Sequence, residues 1–176
     1  LFNLRGSDIE CNPVFLAYSV VSADSVSLYV DSNRIEADAL EELKLSHVDI
    51  YAYDAIATDL QGLDVDSCVH LDVKTTSRWL MESLPDGVTV VEGASPSTLL
   101  KSVKNAVEIA SMVNCHRRDG VAVVRFICWL ESVIASETVD EVALDVRLEA
   151  FRAVAPEYKG PSFPTIAGYG ANGAIC

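Results

Sequence analysis

Short apolar stretches separated by polar turns dominate the first half of the chain. Two of them, over residues 14–21 and 25–30, are rich in Val, Leu and Tyr, and only Ser22, Ala23 and Asp24 separate them. This spacing predicts two strands paired as a hairpin. Further strands are predicted over 48–53, 68–73 and 88–92, with short helices over 37–45, 54–61 and 75–81. Strands that alternate with short helices predict an α/β domain with a mixed sheet.

The pattern changes after a cluster of residues that break helices and strands, Gly-Ala-Ser-Pro-Ser at 93–97. Apolar residues then recur at helical spacing over a long stretch, so we place a domain boundary near residues 93–103. Asn105 with Glu108 three residues later forms the pattern of a capping box, in which each side chain bonds to the other residue's backbone amide. The pattern predicts a helix of nearly thirty residues that starts there.

A second helix is predicted further along the chain. Thr138 with Glu141 three residues later again has the spacing of a capping box, and Pro156 marks the end of the helical pattern. A strand-like stretch is predicted over 161–166. The glycine-rich sequence at 168–173 follows it and predicts a sharp turn, because it lacks the Lys and the flanking strand and helix of a phosphate-binding loop.

Charge and cysteine content narrow the class of protein. The chain has 13 Lys and Arg against 26 Asp and Glu, a net charge of −13 that would repel nucleic acid and anionic membranes. No apolar run reaches the length of about 18 residues that a membrane span needs. The five cysteines include no C-x-x-C pair, which favours a reducing compartment over a disulfide framework. We therefore expect a cytoplasmic protein that binds neither nucleic acid nor membranes.

Few residues have the spacing of a catalytic or metal site. His70 and Asp72 would share one face of a strand and could contribute two metal ligands, but two ligands do not make a site, and surface polar residues are the favoured interpretation. His116 is followed by Arg-Arg-Asp in the long predicted helix, which favours a helix face with salt bridges. Trp79 and Trp129 stand among apolar neighbours and are expected to pack in a core.

Four stretches together resemble one known family in their order and spacing. They are Leu-Phe-Asn-Leu-Arg-Gly-Ser-Asp-Ile at 1–9 with Asn-Pro-Val-Phe at 12–15; Lys-Ser-Val-Lys-Asn at 101–105 with Glu108; Asn-Cys-His-Arg-Arg-Asp-Gly-Val-Ala at 114–122 with Trp-Leu-Glu at 129–131; and Ser-Phe-Pro-Thr-Ile at 162–166 with Asn-Gly-Ala-Ile at 172–175. The family is that of the eukaryotic-type Xaa-Pro aminopeptidases. The tract at 167–169 and Cys176 depart from its usual pattern.

The resemblance implies an α/β fold in which the end of a creatinase-type mixed-sheet domain precedes the start of an α+β pita-bread domain. Residues 1–98 would belong to the first, truncated at its start, and 103–176 to the second, truncated at its end. The resemblance further implies a cytoplasmic enzyme, a homodimer, that hydrolyses the bond before a proline in position two of a peptide. Two divalent metal ions, which we expect to be manganese, would activate the attacking water in the complete enzyme.

The resemblance places no catalytic residue and no metal ligand in this segment, which is therefore expected to be inactive alone. It aligns Phe163 with an aromatic position of the substrate pocket, for which plain core packing is an equal alternative. Asn172 and Gly173 would form a turn at the substrate site, and Arg5 would lie at a domain interface. Two other classes remain open: a non-catalytic pita-bread protein that binds protein partners, and a related enzyme that processes creatine or dipeptides.

Overall fold

The structure, a computed structural model, describes residues 2–136 and 138–174. Three residues of the stretches and departures named above, Leu1, Ile175 and Cys176, lie outside the described residues. The chain divides into two compact units, the first with residues up to 9 and 13–103, the second with residues 10–12 and 104 onwards. No helix in the described part of the chain combines the length and the apolar character that crossing a bilayer requires.

A three-stranded mixed sheet organises the first unit. Strands β1 (Tyr18–Val21) and β2 (Val26–Tyr29) are antiparallel, as the hairpin prediction requires, and the backbone amide of Ser22 donates to the carbonyl of Ser25 (2.9 Å) across the turn. Strand β3 (Val48–Tyr51) runs parallel to β2. A parallel neighbour needs a crossover, and the helix α1 (Ala37–Leu45) provides it.

Both faces of this sheet are covered. Alternate residues of a strand point to opposite faces, so Leu28 and Val30 pack with Leu43 and Val48 on one side. Tyr29 points to the other side, where a second buried cluster forms with Ile56, Leu60 and Leu80. The sheet therefore carries the whole buried core of the first unit.

The rest of the first unit continues the predicted alternation. Helix α2 (Ile56–Gln61) follows a 3₁₀ turn over Tyr53–Ala55. Strands β4 (Cys68–Leu71) and β5 (Thr89–Glu92) pair in parallel, and helix α3 (Arg78–Glu82) lies in the chain segment that connects them. These two strands form a sheet of their own. The mixed α/β character that the sequence predicts is confirmed.

Two long helices dominate the second unit. Helix α5 (Ala106–Val133) spans 28 residues and begins with the predicted capping box: the amide of Glu108 donates to Asn105 Oδ1 (2.9 Å), and the amide of Asn105 donates to Glu108 Oε2 (2.8 Å). Helix α6 (Glu141–Arg152) packs along α5. The prediction of a helix of nearly thirty residues is confirmed.

Two predictions about the second unit are wrong. Asp140, not Thr138, caps α6, since its Oδ1 accepts from the amide of Ala143 (2.7 Å); Thr138 lies too early in the chain. Residues 161–166 form no strand. The prolines at 161 and 164 lack an amide hydrogen, and a strand needs a neighbour that accepts its hydrogen bonds.

One helix of the first unit was not predicted, and one prediction about that unit needs correction. The helix is α4 (Pro96–Ser102), within the boundary region near 93–103; proline without an amide hydrogen fits the first turn of a helix. Trp79 does not pack in a core, because α3 buries its neighbour Leu80 and leaves 51% of Trp79 exposed. Trp129 is half-buried, with the guanidinium of Arg147 5.2 Å from its ring centre.

Candidate functional site

The three residues predicted to contact substrate lie near the end of the described chain. Asn172 and Gly173 belong to a 3₁₀ turn over Gly170–Ala174. Phe163 lies before this turn in a segment without regular structure, and 66% of its surface is exposed. Core packing within the described residues is therefore not the role of Phe163.

Two glycines in and just before this turn suit its backbone. A side chain on Gly168 would place its Cβ 2.9 Å from the carbonyl oxygen of Asn172, closer than such atoms approach. Gly170 has a φ of +58°, in the left-handed region that glycine adopts without strain. The sequence correctly predicted a sharp turn here.

Glu141 holds the turn from the first turn of α6. Its Oε1 accepts hydrogen bonds from the backbone amide of Tyr169 (2.9 Å) and from the side-chain amide of Asn172 (3.0 Å), which also lies 3.2 Å from Oε2. The hydrogen bond from Asn172, and then that from the Tyr169 amide, hold the pKa of the Glu141 carboxyl below its usual value. Glu141 thus positions Asn172 and the turn that contains it.

From the sequence, Glu141 was predicted to have a different role, as the partner of Thr138 in a capping box. In the structure Glu141 instead contacts Tyr169 and Asn172, which follow it by 28 and 31 positions. No local pattern in the sequence predicts contacts over such separations. The only available signal was an acidic residue at a helix start, which the helix dipole favours in any case.

Arg5 lies in the first unit, at the edge of a cavity of about 720 Å³. Its Nη1 donates to the carbonyl of the adjacent Leu4 (2.9 Å). Asp8 and Arg34 line the same cavity and form an ion pair.

Asp8 links the N-terminal segment of the first unit to Leu16 and Arg34. Its side chain is 6% exposed, and besides the ion pair with Arg34 its Oδ2 accepts from the backbone amide of Leu16 (2.8 Å). The hydrogen bond from Arg34, followed by that from Leu16, lowers the pKa of this carboxyl. Sequence reasoning missed the pair, because its members are 26 residues apart.

The described residues do not fit a metal site. Among residues 2–136 and 138–174, no three His, Cys, Asp or Glu side chains converge. His70 is exposed on β4, while Asp72 Oδ1 accepts from the amide of Lys74 (3.0 Å) in its own turn. The pair His70 and Asp72 is better described as surface polar residues, the interpretation that the sequence favoured.

Comparison with known proteins decides the family. The model of the creatinase/prolidase N-terminal domain matches residues 1–108, more than half of the chain. The chain belongs to this family. The creatinase-type character inferred from the first matched stretch is thereby confirmed.

Relatives of this creatinase/prolidase family member extend the likeness over the second unit. The chain is 36% identical over 189 residues to a probable Xaa-Pro aminopeptidase P of Pyricularia oryzae, with 99% of this chain and 31% of the relative covered. It is 35% identical to the Xaa-Pro aminopeptidase ApepP of Drosophila melanogaster, with 98% and 29% covered. A probable Xaa-Pro aminopeptidase P of Laccaria bicolor is 41% identical, with 99% and 28% covered. The chain thus spans about three-tenths of the length of these relatives.

A solved structure agrees with the fold. The X-prolyl aminopeptidase of Caenorhabditis elegans, described as a cytosolic enzyme with a di-nuclear active site, matches with a TM-score of 0.84 at 24% identity. The match covers 92% of this chain and 28% of the other. The resemblance to Xaa-Pro aminopeptidases that four sequence stretches indicated is confirmed.

Proposed function

We propose that this chain is part of a metal-dependent aminopeptidase that removes the N-terminal residue from peptides with proline in position two. The observation that carries the proposal is the identity of 35–41% to proteins named Xaa-Pro aminopeptidase, over 98–99% of this chain. Such similarity extends through both units and therefore beyond the family's N-terminal domain.

The two parts of the chain have different roles in this proposal. Residues 1–98 form the end of the creatinase-type domain, and 103–176 form the first part of the pita-bread catalytic domain. Phe163, Asn172 and Gly173 contribute one wall of the substrate site, and Arg5 is assigned to a domain interface of the complete enzyme. The exposed ring of Phe163 and the hydrogen bonds that hold Asn172 support the first assignment.

The metal ions belong to the complete enzyme and not to this segment. The di-nuclear active site named for the Caenorhabditis elegans enzyme supports two ions, which we take to be manganese. The converging carboxylates and imidazoles that such ions need are absent from the described residues, so the ligands belong to other parts of the complete protein. We expect the segment alone to be inactive and the complete enzyme to be a cytoplasmic homodimer; the description of the Caenorhabditis elegans enzyme as cytosolic supports the location.

The proposal is tested with the full-length protein that contains this chain. We expect it to release arginine from Arg-Pro-Pro, to lose this activity after chelation and to regain it with manganese. Arg-Ala-Pro serves as the matched control substrate, since it differs only in the residue at position two and should be cleaved far more slowly. The isolated 176-residue segment should release no arginine under any of these conditions.

Two results would contradict the proposal. Folded, metal-loaded full-length protein that leaves Arg-Pro-Pro intact would favour the alternative of a non-catalytic pita-bread protein that binds protein partners. Equal cleavage of Arg-Ala-Pro and Arg-Pro-Pro would retain an aminopeptidase but remove the proline specificity.

A further inference from the structure

A groove in the second unit is lined by several basic side chains, although the chain as a whole is strongly acidic. It has a volume of about 700 Å³ and lies between α5 and the segment that follows α6. Five of the 13 Lys and Arg residues line it, but only two of the 26 Asp and Glu residues do. The five are Arg117, Arg118, Arg125, Arg152 and Lys159.

Ion pairing accounts for only two of these cations. Arg152 Nε donates to Asp119 Oδ1 (2.6 Å), and Arg118 Nη1 lies 3.2 Å from Glu157 Oε2. The three other cations make no salt bridge to any residue that the structure describes; they are Arg117, Arg125 and Lys159. All three are exposed, so they repel each other weakly across the groove, and a bound anion would offset that repulsion.

The surface between the cations is apolar. Val121 and the buried Ala122 lie on the α5 side, and Phe151, Val154 and Pro156 lie opposite. Pockets for small molecules have volumes of about 300–1,000 Å³ and apolar walls with a few polar groups that orient the ligand. The groove has both properties.

We propose that this groove binds a small organic polyanion, a molecule with two or more phosphate or carboxylate groups on an apolar body. Arg117, Arg125 and Lys159 bind the anionic groups, since a guanidinium donates two parallel hydrogen bonds to a phosphate or a carboxylate. The apolar body of the ligand lies against Ala122 and Val154. The proposal is independent of the peptidase function, because none of Phe163, Asn172 and Gly173 lines the groove.

Binding is measured by isothermal titration of the full-length protein with pyrophosphate, citrate and ADP at low ionic strength. We expect saturable binding of pyrophosphate or citrate, and the tighter of the two identifies phosphate or carboxylate as the preferred group. ADP, which adds an aromatic adenine ring that can pack on the apolar wall, should bind more tightly than pyrophosphate. The affinity should fall as salt is added, because salt screens the exposed cations.

Substitutions locate the site. The double substitution Arg125→Gln with Lys159→Gln should weaken binding about tenfold or more, because two charge-assisted contacts are lost. Lys104→Gln is the control matched to the single substitution Arg117→Gln: it removes one positive charge from an exposed position just before α5 and should change the affinity less than about twofold. Arg117→Gln provides an independent second variant if the double variant unfolds.

Three outcomes would overturn the proposal. The first is that none of the three compounds binds the wild-type protein. The second is that Lys104→Gln weakens binding as much as the groove substitutions do, which would indicate a general charge effect. The third is that the groove variants, folded like the wild type, bind the three compounds as tightly as the wild type does.

Discussion

The two units differ in how far they bury their apolar side chains. Of the nine buried hydrophobic residues in the described part of the chain, eight lie in the first unit and only Ala122 lies in the second. On α5 and α6, apolar residues such as Val107, Val124 and Val142 have more than half of their surface exposed. In the first unit, chain segments pack on both faces of a sheet and bury one cluster of apolar side chains on each face. In the second unit, α5 and α6 pack on each other, so each helix buries only the stripe of its surface that faces the other.

This difference predicts where substitutions matter. Burial of apolar surface stabilises the first unit, so removing buried atoms there leaves a cavity. The second unit depends more on helix caps, ion pairs and its helix–helix contact. Similar truncations in the two units should therefore have very different effects on the free energy of unfolding.

The largest effect is expected for Leu28→Ala in the first unit. Leu28 is 1% exposed, and truncating such a buried leucine costs about 2–5 kcal/mol in free energy of unfolding. Val124→Ala in α5, where the side chain is 60% exposed, should change that free energy by less than about 0.5 kcal/mol. Urea unfolding followed by tryptophan fluorescence measures both effects.

The chain allows each unit to be followed separately. Trp79 lies in the first unit and Trp129 in the second, so Leu28→Ala is studied in a Trp129→Phe background and Val124→Ala in a Trp79→Phe background. Equal losses for the two truncations would show that the exposed face of α5 is covered in solution, and the contrast drawn between the units would be wrong.

A smaller effect is expected from the carboxylate that fastens the first unit. The pKa of Asp8 is lowered in the folded state by Arg34 and the Leu16 amide, relative to an unfolded value of about 3.9. Ionised Asp8 therefore stabilises the fold above about pH 4, and this contribution is lost as the pH falls through the lower folded-state pKa. Asp8→Asn should make the stability of the first unit less dependent on pH below 4.

The predicted direction of this pH dependence is tested by measuring the urea midpoint of unfolding at several pH values from neutral to acidic. Asp24→Asn, in the exposed hairpin turn, is the control and should keep the steep wild-type decrease. If the urea midpoints of Asp8→Asn and of the wild type fall in parallel on acidification, the ion pair between Asp8 and Arg34 does not form in solution.

The smallest effect is expected for Glu141, the carboxylate that holds the glycine-rich turn in the second unit. Glu141→Ala removes the acceptor for the Tyr169 amide and should speed hydrogen exchange of that amide by about tenfold at most, the equivalent of one exposed hydrogen bond. Glu149→Ala, elsewhere on α6, should leave this exchange unchanged. Unaltered exchange at Tyr169 in the Glu141 variant would mean that the turn is held by its own backbone.

Local patterns predicted much of the fold. The hairpin, the helix over 37–45 and the capping box of Asn105 and Glu108 all depend on residues within a few positions of one another, and all are confirmed. The errors arose where two local patterns compete. Thr138 and Asp140 can both cap a helix, and Ser-Pro signals a helix start as well as a loop.

The sequence also predicted which residues belong to the proposed substrate site, but not the contacts that position them. Asn172 and Gly173 were named from a motif, whereas their support by Glu141 depends on a chain reversal after α6. The cationic groove was missed for the same reason, since Lys159 follows Arg117 by more than forty positions.

By itself, then, the sequence determined most of the secondary structure, the acidic character and the family, because these depend on neighbouring residues and on motifs that keep their order along the chain. Only the tertiary structure decided which apolar residues are buried and which charged groups meet. Burial depends on what covers a face, as Leu28 and Val124 show. Ion pairs such as those of Asp8 with Arg34 and Asp119 with Arg152 join distant positions that only the folded backbone brings within a few ångströms.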